Sequence, residues 1–176
     1  MSVNGHAPRN WVTAALRRYE GPLVQYAQRI TGDFERARDA VQETFLKLCQ
    51  ESRAEVNGHL AQWLYTVCRN QAIDQRRKES RMTTLAEPGI LDADHRQPEP
   101  WQTVADEECT TLILVELERL PANQQECIRL KLQHGLTYRE ISGVTDLSMS
   151  NVGFLIHAGL KTIRERMQRR DRRDES

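Results

Sequence analysis

Three groups of residues have types and spacings suited to chemistry, and in each case that chemistry is recognition rather than bond-breaking. The first lies in "SMSNVGFLIHAGLKTIRERM", residues 148–167. Projected at about 100° per residue, Asn151, Phe154, Ala158 and Lys161 share one side of a helix, with His157 and Thr162 at its edges. Asparagine can pair with adenine, lysine with guanine or phosphate, and apolar groups with thymine methyls. Ser148 and Ser150 at the start offer a cap and phosphate contacts through N-terminal amides. With the short helix and turn of "TYREISGVTDL" before it, this stretch reads as a helix-turn-helix. Between Asn151 and Leu160 it carries no formal charge. It neutralises few phosphates, so its own duplex affinity is expected to be small.

The second group lies in "LAQWLYTVCRNQAIDQRRK". Tyr65, Arg69, Ala72 and Arg76 recur at helical spacing, with Asn70 and Arg77 on a neighbouring line. An aromatic ring and several guanidiniums along one rod can contact phosphates and stack on unpaired bases. The opposite arc, Trp63, Leu64, Val67 and Cys68, is expected to face a core. A plainer account covers Arg76, Arg77 and Lys78, since cations are favoured at a helix C-terminus.

The third group lies in "DFERARDAVQETFLKLCQ". Ala37, Ala40, Val41, Thr44, Phe45 and Leu48 form a buriable side, opposite a stripe of Asp39, Gln42, Glu43, Leu46 and Gln50. Acids and amides around one outward leucine suit a protein interface with a small apolar anchor.

No acid–base pair, phosphate loop or metal cluster stands out, so the chain is expected to be no enzyme and to need no cofactor. Cys49, Cys68, Cys109 and Cys127 contain no C-x-x-C pair and are expected to be reduced, packed thiols. His157 has no His or Cys three or four residues away, which favours a polar contact over a metal bond.

Helical periodicity must position these groups, because no strand alternation appears. A first helix, "NWVTAALRRYE", is expected to break or kink at Gly21-Pro22 before "LVQYAQRI", with "TGD" as stop and next N-cap. "RAEVNGH" reads as a loop turning at Asn57-Gly58. Periodicity fades over 81–104, where "AEPGILDADHRQPEPW" holds three of the six prolines. It resumes with "ADEECTTLILVELERL" and with "ANQQECIRLKLQHG", which Pro121 opens. Asp146 occupies the turn of the helix-turn-helix and tolerates a left-handed backbone better than most residues. Net charge is zero but unevenly spread. Residues 1–80 hold 12 basic and 9 acidic side chains, 81–120 hold 3 and 9, and 121–176 hold 10 and 7. Two mildly basic ends around an acidic middle suggest two lobes that meet polyanions. No apolar run approaches the ~20 residues of a membrane span, and no signal-peptide core appears, so a cytoplasmic address without membrane contact is expected.

Together, "RARDAVQETFLKLCQ", "AQWLYTVCRNQAIDQRRK", "LPANQQECIRLKLQHGLTYREIS" and the 148–167 stretch resemble bacterial extracytoplasmic-function (ECF) sigma factors in order and spacing. These are the small two-domain members of the sigma-70 class. The resemblance spans about residues 11–167, and D-x-V-Q-E-x-F at 39–45 with W-L-Y-x-x-x-R-N-x-A-I-D at 63–74 is its most specific part. It implies an all-α fold of two small helical domains: a region 2 bundle at 10–80 and a region 4 helix-turn-helix at 105–170, joined by a flexible acidic linker at 81–104. It implies a sigma factor that binds core RNA polymerase and directs it to promoters. The stripe of Asp39, Gln42, Glu43, Leu46 and Gln50 would dock on the β′ clamp helices, and the β flap would hold region 4. Asn57, Gly58, His59, Tyr65, Arg69, Asn70, Asp74, Arg76 and Arg77 would take and melt the minus-10 element, capturing a flipped base. Thr137, Tyr138, Arg139, Ser148, Ser150, Asn151, Phe154, His157 and Lys161 would bind the minus-35 element as duplex. The linker would mimic nascent RNA or act as a plain tether, and an anti-sigma factor controls many members. The chain departs from the family at Gly153, Phe154, Leu155, Ala158 and Leu160, where a Lys, a Ser and two or three Arg are usual. A stand-alone helix-turn-helix regulator and a helical adaptor without DNA function are the competing readings. The first leaves the Asp39–Gln50 stripe without a role.

Overall fold

Chain contacts divide the molecule into two units, Met1–Arg96 and Gln97–Ser176. The computed structural model describes residues 10–84 and 107–174, and every regular element among them is an α-helix. Most of the 81–104 stretch lies outside the described residues, although the preceding helix runs through its first four positions.

Unit 1 contains α1 (Asn10–Thr31), α2 (Phe34–Leu48), α3 (Arg53–Val56) and α4 (Leu60–Thr84). Of the two expected alternatives at Gly21-Pro22, a break or a kink, the break does not occur: α1 is one continuous helix with Pro22 inside it. The ring deprives only the Arg18 carbonyl of its amide partner. Arg18 and Gly21 are exposed, so water can serve that oxygen, while buried Leu23, Tyr26 and Ala27 hold the second half in place. The stop is as expected: Gly32 takes φ +72°, and the Asp33 carboxylate accepts the Arg36 amide at 2.9 Å. The buried side of α2 is Ala37, Ala40, Val41, Thr44, Phe45 and Leu48, as the wheel predicted.

The "RAEV" segment expected as loop is the short helix α3. A reciprocal capping box holds it: the Glu55 amide donates to Ser52 Oγ at 3.3 Å, and the Ser52 amide donates to Glu55 Oε2 at 3.1 Å. The chain then turns at Gly58, φ +85°, into α4. α1, α2 and α4 pack against one another pairwise. Ala27, Ala37, Ala40 and Ala72 are fully buried, so small side chains let the three backbones approach.

Unit 2 contains α5 (Glu107–Glu118), α6 (Ala122–Leu132), α7 (Tyr138–Thr145) and α8 (Met149–Asp174). Gln125 Nε2 donates to the Glu118 and Leu120 carbonyls at 2.9 and 2.7 Å, closing the end of α5 across the Pro121 turn. α7 opens on a second capping box between Thr137 and Glu140, and it ends at Asp146, φ 60° and ψ 22°. Ser142 Oγ donates to the Leu147 carbonyl at 2.6 Å and holds that turn.

α8 packs on α5, α6 and α7, burying Val152, Ile156 and Ile163 with Gly159. A Cβ at Gly159 would lie 2.6 Å from Ile128 Cδ1 and 3.1 Å from Leu120 Cδ1, so the close approach there is made by α6 and the α5–α6 turn. Glu116, 7% exposed, receives Arg119 at 2.7 Å and Arg166 at 3.2 Å, joining α5 to the middle of α8.

Two glycine substitutions should therefore lower stability for different physical reasons. Gly159→Ala is expected to destabilise unit 2 by about 1–3 kcal/mol through overpacking. Gly32→Ala, at φ +72°, should destabilise unit 1 by about 1–2 kcal/mol through backbone strain. Denaturant titration followed by circular dichroism measures both.

Candidate functional site

Each group singled out in the sequence has a definite place. On α2, Asp39, Gln42, Glu43 and Leu46 are exposed, with Gln50 exposed just past the helix end. Leu46 is 51% exposed, a bare apolar side chain among polar ones. Burying the opposite side of α2 against α1 and α4 is what forces this stripe outward.

α4 brings a second set of groups beside that stripe. Asp39, Gln42 and Glu43 of α2 line an open polar cleft with Gln71, Asp74 and Lys78 of α4. Gln75 also lines it, and its buried Oε1 has no hydrogen-bond partner. Asp74, grouped in sequence with the basic positions of α4, therefore shares a surface with the α2 stripe. Gln71, Gln75 and Lys78 were missed, although Gln71 and Lys78 flank Asp74 at i−3 and i+4 and so lie on its face. The cleft presents three carboxylates against one ammonium, which suits a partner rich in hydrogen-bond donors and positive charge.

Asn57, Gly58 and His59 are exposed on the turn before α4, anchored by buried Val56. The Trp63 amide donates to the His59 carbonyl at 2.9 Å, tying that turn to the start of α4. Along α4, Asn70, Asp74, Arg76 and Arg77 are exposed and Arg69 is half-buried.

Tyr65 is the correction. It was expected on the outer, base-stacking face, but it is 1% exposed and meets Tyr26 of α1 edge to face, ring centroids 5.3 Å apart. The buried stripe is Leu64, Tyr65, Cys68 and Ala72, with Trp63 and Val67 only half-buried. The wheel placed the core arc one residue off because α4 contacts α1 as well as α2, a tertiary choice that its own sequence does not encode. Burial raises the Tyr65 hydroxyl well above its usual range and pushes the Cys68 thiol up to about 12. Cys68 donates to the Leu23 carbonyl at 3.9 Å. Cys49, Cys68 and Cys127 are thiols rather than disulfides, and the side chain of Cys109 lies outside the described set. Among the described residues, no three His, Cys, Asp or Glu side chains are placed to hold a metal ion. None of the described helices is long and apolar enough to cross a membrane.

In unit 2, Thr137, Tyr138 and Arg139 are exposed at the start of α7. Ser148, Ser150, Asn151, Phe154, His157 and Lys161 are exposed along the first half of α8. The Asn151 amide donates to Ser148 Oγ at 3.2 Å, so Ser148 caps this helix. Phe154 is 66% exposed, whereas Ala158, expected beside it, is half-buried. The Tyr138 ring lies against Gly153, 3.6 Å from where a Cβ would stand, and the Lys131 ammonium sits 5.5 Å from the ring centroid.

Comparison with known proteins gives a consistent family. Residues 15–82 match Sigma-70 region 2, and residues 111–163 match Sigma-70, region 4. The ECF RNA polymerase sigma factor SigL of Mycobacterium tuberculosis is 30% identical over 154 residues, covering 83% of this chain and 82% of that one. RNA polymerase sigma factor YlaC of Bacillus subtilis is 26% identical over 166 residues, covering 90% and 93%. The SigE relative from Mycolicibacterium smegmatis is longer: the chain matches 59% of its length at 25% identity. Among solved structures, the sigma factor RpoE of Bartonella quintana, in complex with the anti-sigma factor NepR, aligns with TM-score 0.66 and 19% identity over 89% of this chain and 96% of that one. CnrH, in complex with the cytosolic domain of CnrY, aligns with TM-score 0.57 and 17% identity over 92% and 90%. At these identities the structural likeness speaks to the fold.

Burial of Tyr65 sets the expected behaviour of two variants. Tyr65→Ala should destabilise unit 1 by about 3–5 kcal/mol, and Tyr65→Phe by far less, in chemical denaturation. Both Tyr65 and Cys68 keep their protons longer folded than unfolded. Their contribution is whole below the usual thiol range near 9.0 and is lost as pH rises towards 12. A denaturation midpoint that is flat between pH 8 and 11 would contradict this.

Proposed function

Because the chain belongs to the ECF RNA polymerase sigma factors, we propose that its two units divide promoter recognition between them and that core polymerase supplies most of the binding energy. The observation that carries this division is a contrast of surfaces. Unit 1 exposes an acid and amide stripe around Leu46, opening on a cleft of three carboxylates, while the first half of α8 in unit 2 has no charge between Asn151 and Leu160. The first suits a tight protein partner, and the second is too weakly charged to hold duplex alone.

In this reading Asp39, Gln42, Glu43, Leu46 and Gln50 meet the β′ clamp helices, with Leu46 as the apolar anchor. The cleft beside them receives cationic or donor-rich side chains. Gln71, Asp74, Gln75 and Lys78 extend that surface onto α4. The 57–59 turn with Arg69, Asn70, Arg76 and Arg77 takes the minus-10 element. The turn receives a flipped base, and the arginines follow the displaced strand. Tyr65 acts from below, as packing that fixes the azimuth of α4. Unit 2 lays α8 in the major groove of the minus-35 element. Thr137, Tyr138, Arg139, Ser148 and Ser150 set its register on the phosphates, and the β flap holds the unit in place. The chain itself performs no catalysis and works in the cytoplasm, and an anti-sigma factor is a candidate partner alongside core polymerase and promoter DNA.

The stand-alone regulator predicts tight specific binding without polymerase, which the uncharged reading face disfavours. Run-off transcription with purified core polymerase on a genomic promoter library tests the assignment. Promoter-selective transcripts appearing only when the chain is added are expected, and their absence would refute it. In the same assay Leu46→Asp should weaken core association about tenfold, the scale of a lost interface anchor. Arg76→Ala should lose several-fold activity on duplex promoters and recover it on a pre-melted template. Equal loss on both templates would remove Arg76 from the melting step.

A further inference from the structure

The first half of α8 lacks the residues that read guanine best, and it offers another reader. Bidentate recognition of guanine needs Arg or Lys at exposed positions of the recognition helix. Here those positions are Ser150, Asn151, Phe154 and His157, and the first cation, Lys161, comes about 15 Å along the axis from Asn151. Phe154 is the most exposed large apolar side chain among the described residues, at 66%. It stands on the same face as Asn151, one turn further on.

The surroundings of Phe154 are shaped around it. Gly153 carries no side chain, and the Tyr138 ring occupies the space beside it, 3.6 and 3.9 Å from the position of a Cβ. A methyl group would fit there, but a longer side chain would displace the ring. Ala158, one turn after Phe154, is small and half-buried. The phenyl therefore rises from a low surface, with Gly153 just before it and Ala158 one turn after, and it can reach a groove floor without a long side chain at either position holding the duplex off. Van der Waals contact with the C5-methyl of thymine is what such a group recognises, and asparagine paired with adenine is its natural companion.

From this arrangement we infer that unit 2 reads A·T pairs in the minus-35 element, with Phe154 touching a thymine methyl. The inference rests on the promoter-binding reading above and narrows it to one base and one atom.

Replacing dT by deoxyuridine removes the methyl and leaves base pairing intact, which isolates the contact. Holoenzyme reconstituted from core polymerase and the full chain is titrated on a promoter it transcribes, with each minus-35 thymine replaced in turn. For the wild type, one or two replacements should weaken binding about 4-fold each, the scale of one buried methylene. With Phe154→Ala the same replacements should have no effect. With Phe154→Lys, overall affinity and its salt slope should rise while sensitivity to the methyl disappears. Phe154 is exposed, so neither substitution threatens folding.

A flat deoxyuridine scan on a promoter whose minus-35 element is required overturns the inference and leaves the sigma assignment standing. So does a Phe154→Ala holoenzyme that keeps the wild-type sensitivity. If Phe154→Ala changes only the capture of a protein partner, Phe154 is a protein contact and the inference fails in that way. A chain that drives no promoter-dependent transcription overturns both.

Discussion

Unit 1 depends on burying one stripe of α4. Leu64, Tyr65, Cys68 and Ala72 go inward against α1 and α2, and everything the unit offers outward follows from that rotation. Ala27, Ala37, Ala40 and Ala72 allow close helix approach, while Tyr26 and Tyr65 fill the wider part of the core edge to face. Once the stripe is buried, Asn70, Asp74, Arg76 and Arg77 must be outside. Asp74 must also come alongside Asp39 and Glu43. Two exposed faces of different charge thus arise on one helix without separate scaffolding, Asp74 beside the carboxylates of α2 and Arg76 with Arg77 away from the core.

Unit 2 uses one long helix in the same way. α8 buries Val152, Ile156, Gly159 and Ile163 and leaves Asn151, Phe154, His157 and Lys161 to the outside. The left-handed Asp146 and the Ser142 bond to Leu147 set the angle at which α8 leaves the turn, and Gly159 sets how near it comes to α6. The outward face of this unit is therefore set by geometry more than by charge. That fits the proposal in which core polymerase secures the lobe on DNA.

Much of this was legible in the chain. The α2 wheel was right at every buried position because that helix has a single apolar side. The Asp33 cap, the Asp146 turn and the two-unit division could be read from local chemistry alone. Tyr65 was misplaced because α4 is apolar or neutral over more than half its circumference early on, and only its neighbours decide which arc is buried. The continuity of α1 through Pro22 was hidden for a related reason: packing at Leu23, Tyr26 and Ala27 outweighs a local penalty of about 3 kcal/mol. The α3 helix was readable and overlooked, since Ser52 and Glu55 have the spacing of a capping box. The cleft could not be read, because it joins α2 residues to α4 residues 28 to 39 positions further on.

The pairing of Arg166 with Glu116 adds a mechanical property to unit 2. α8 runs unbroken from Met149 to Asp174, so Arg166 and Phe154 sit on one stiff rod about 18 Å apart along its axis. Whatever shifts the Glu116 anchor on α5 therefore acts on the same continuous helix that carries Phe154.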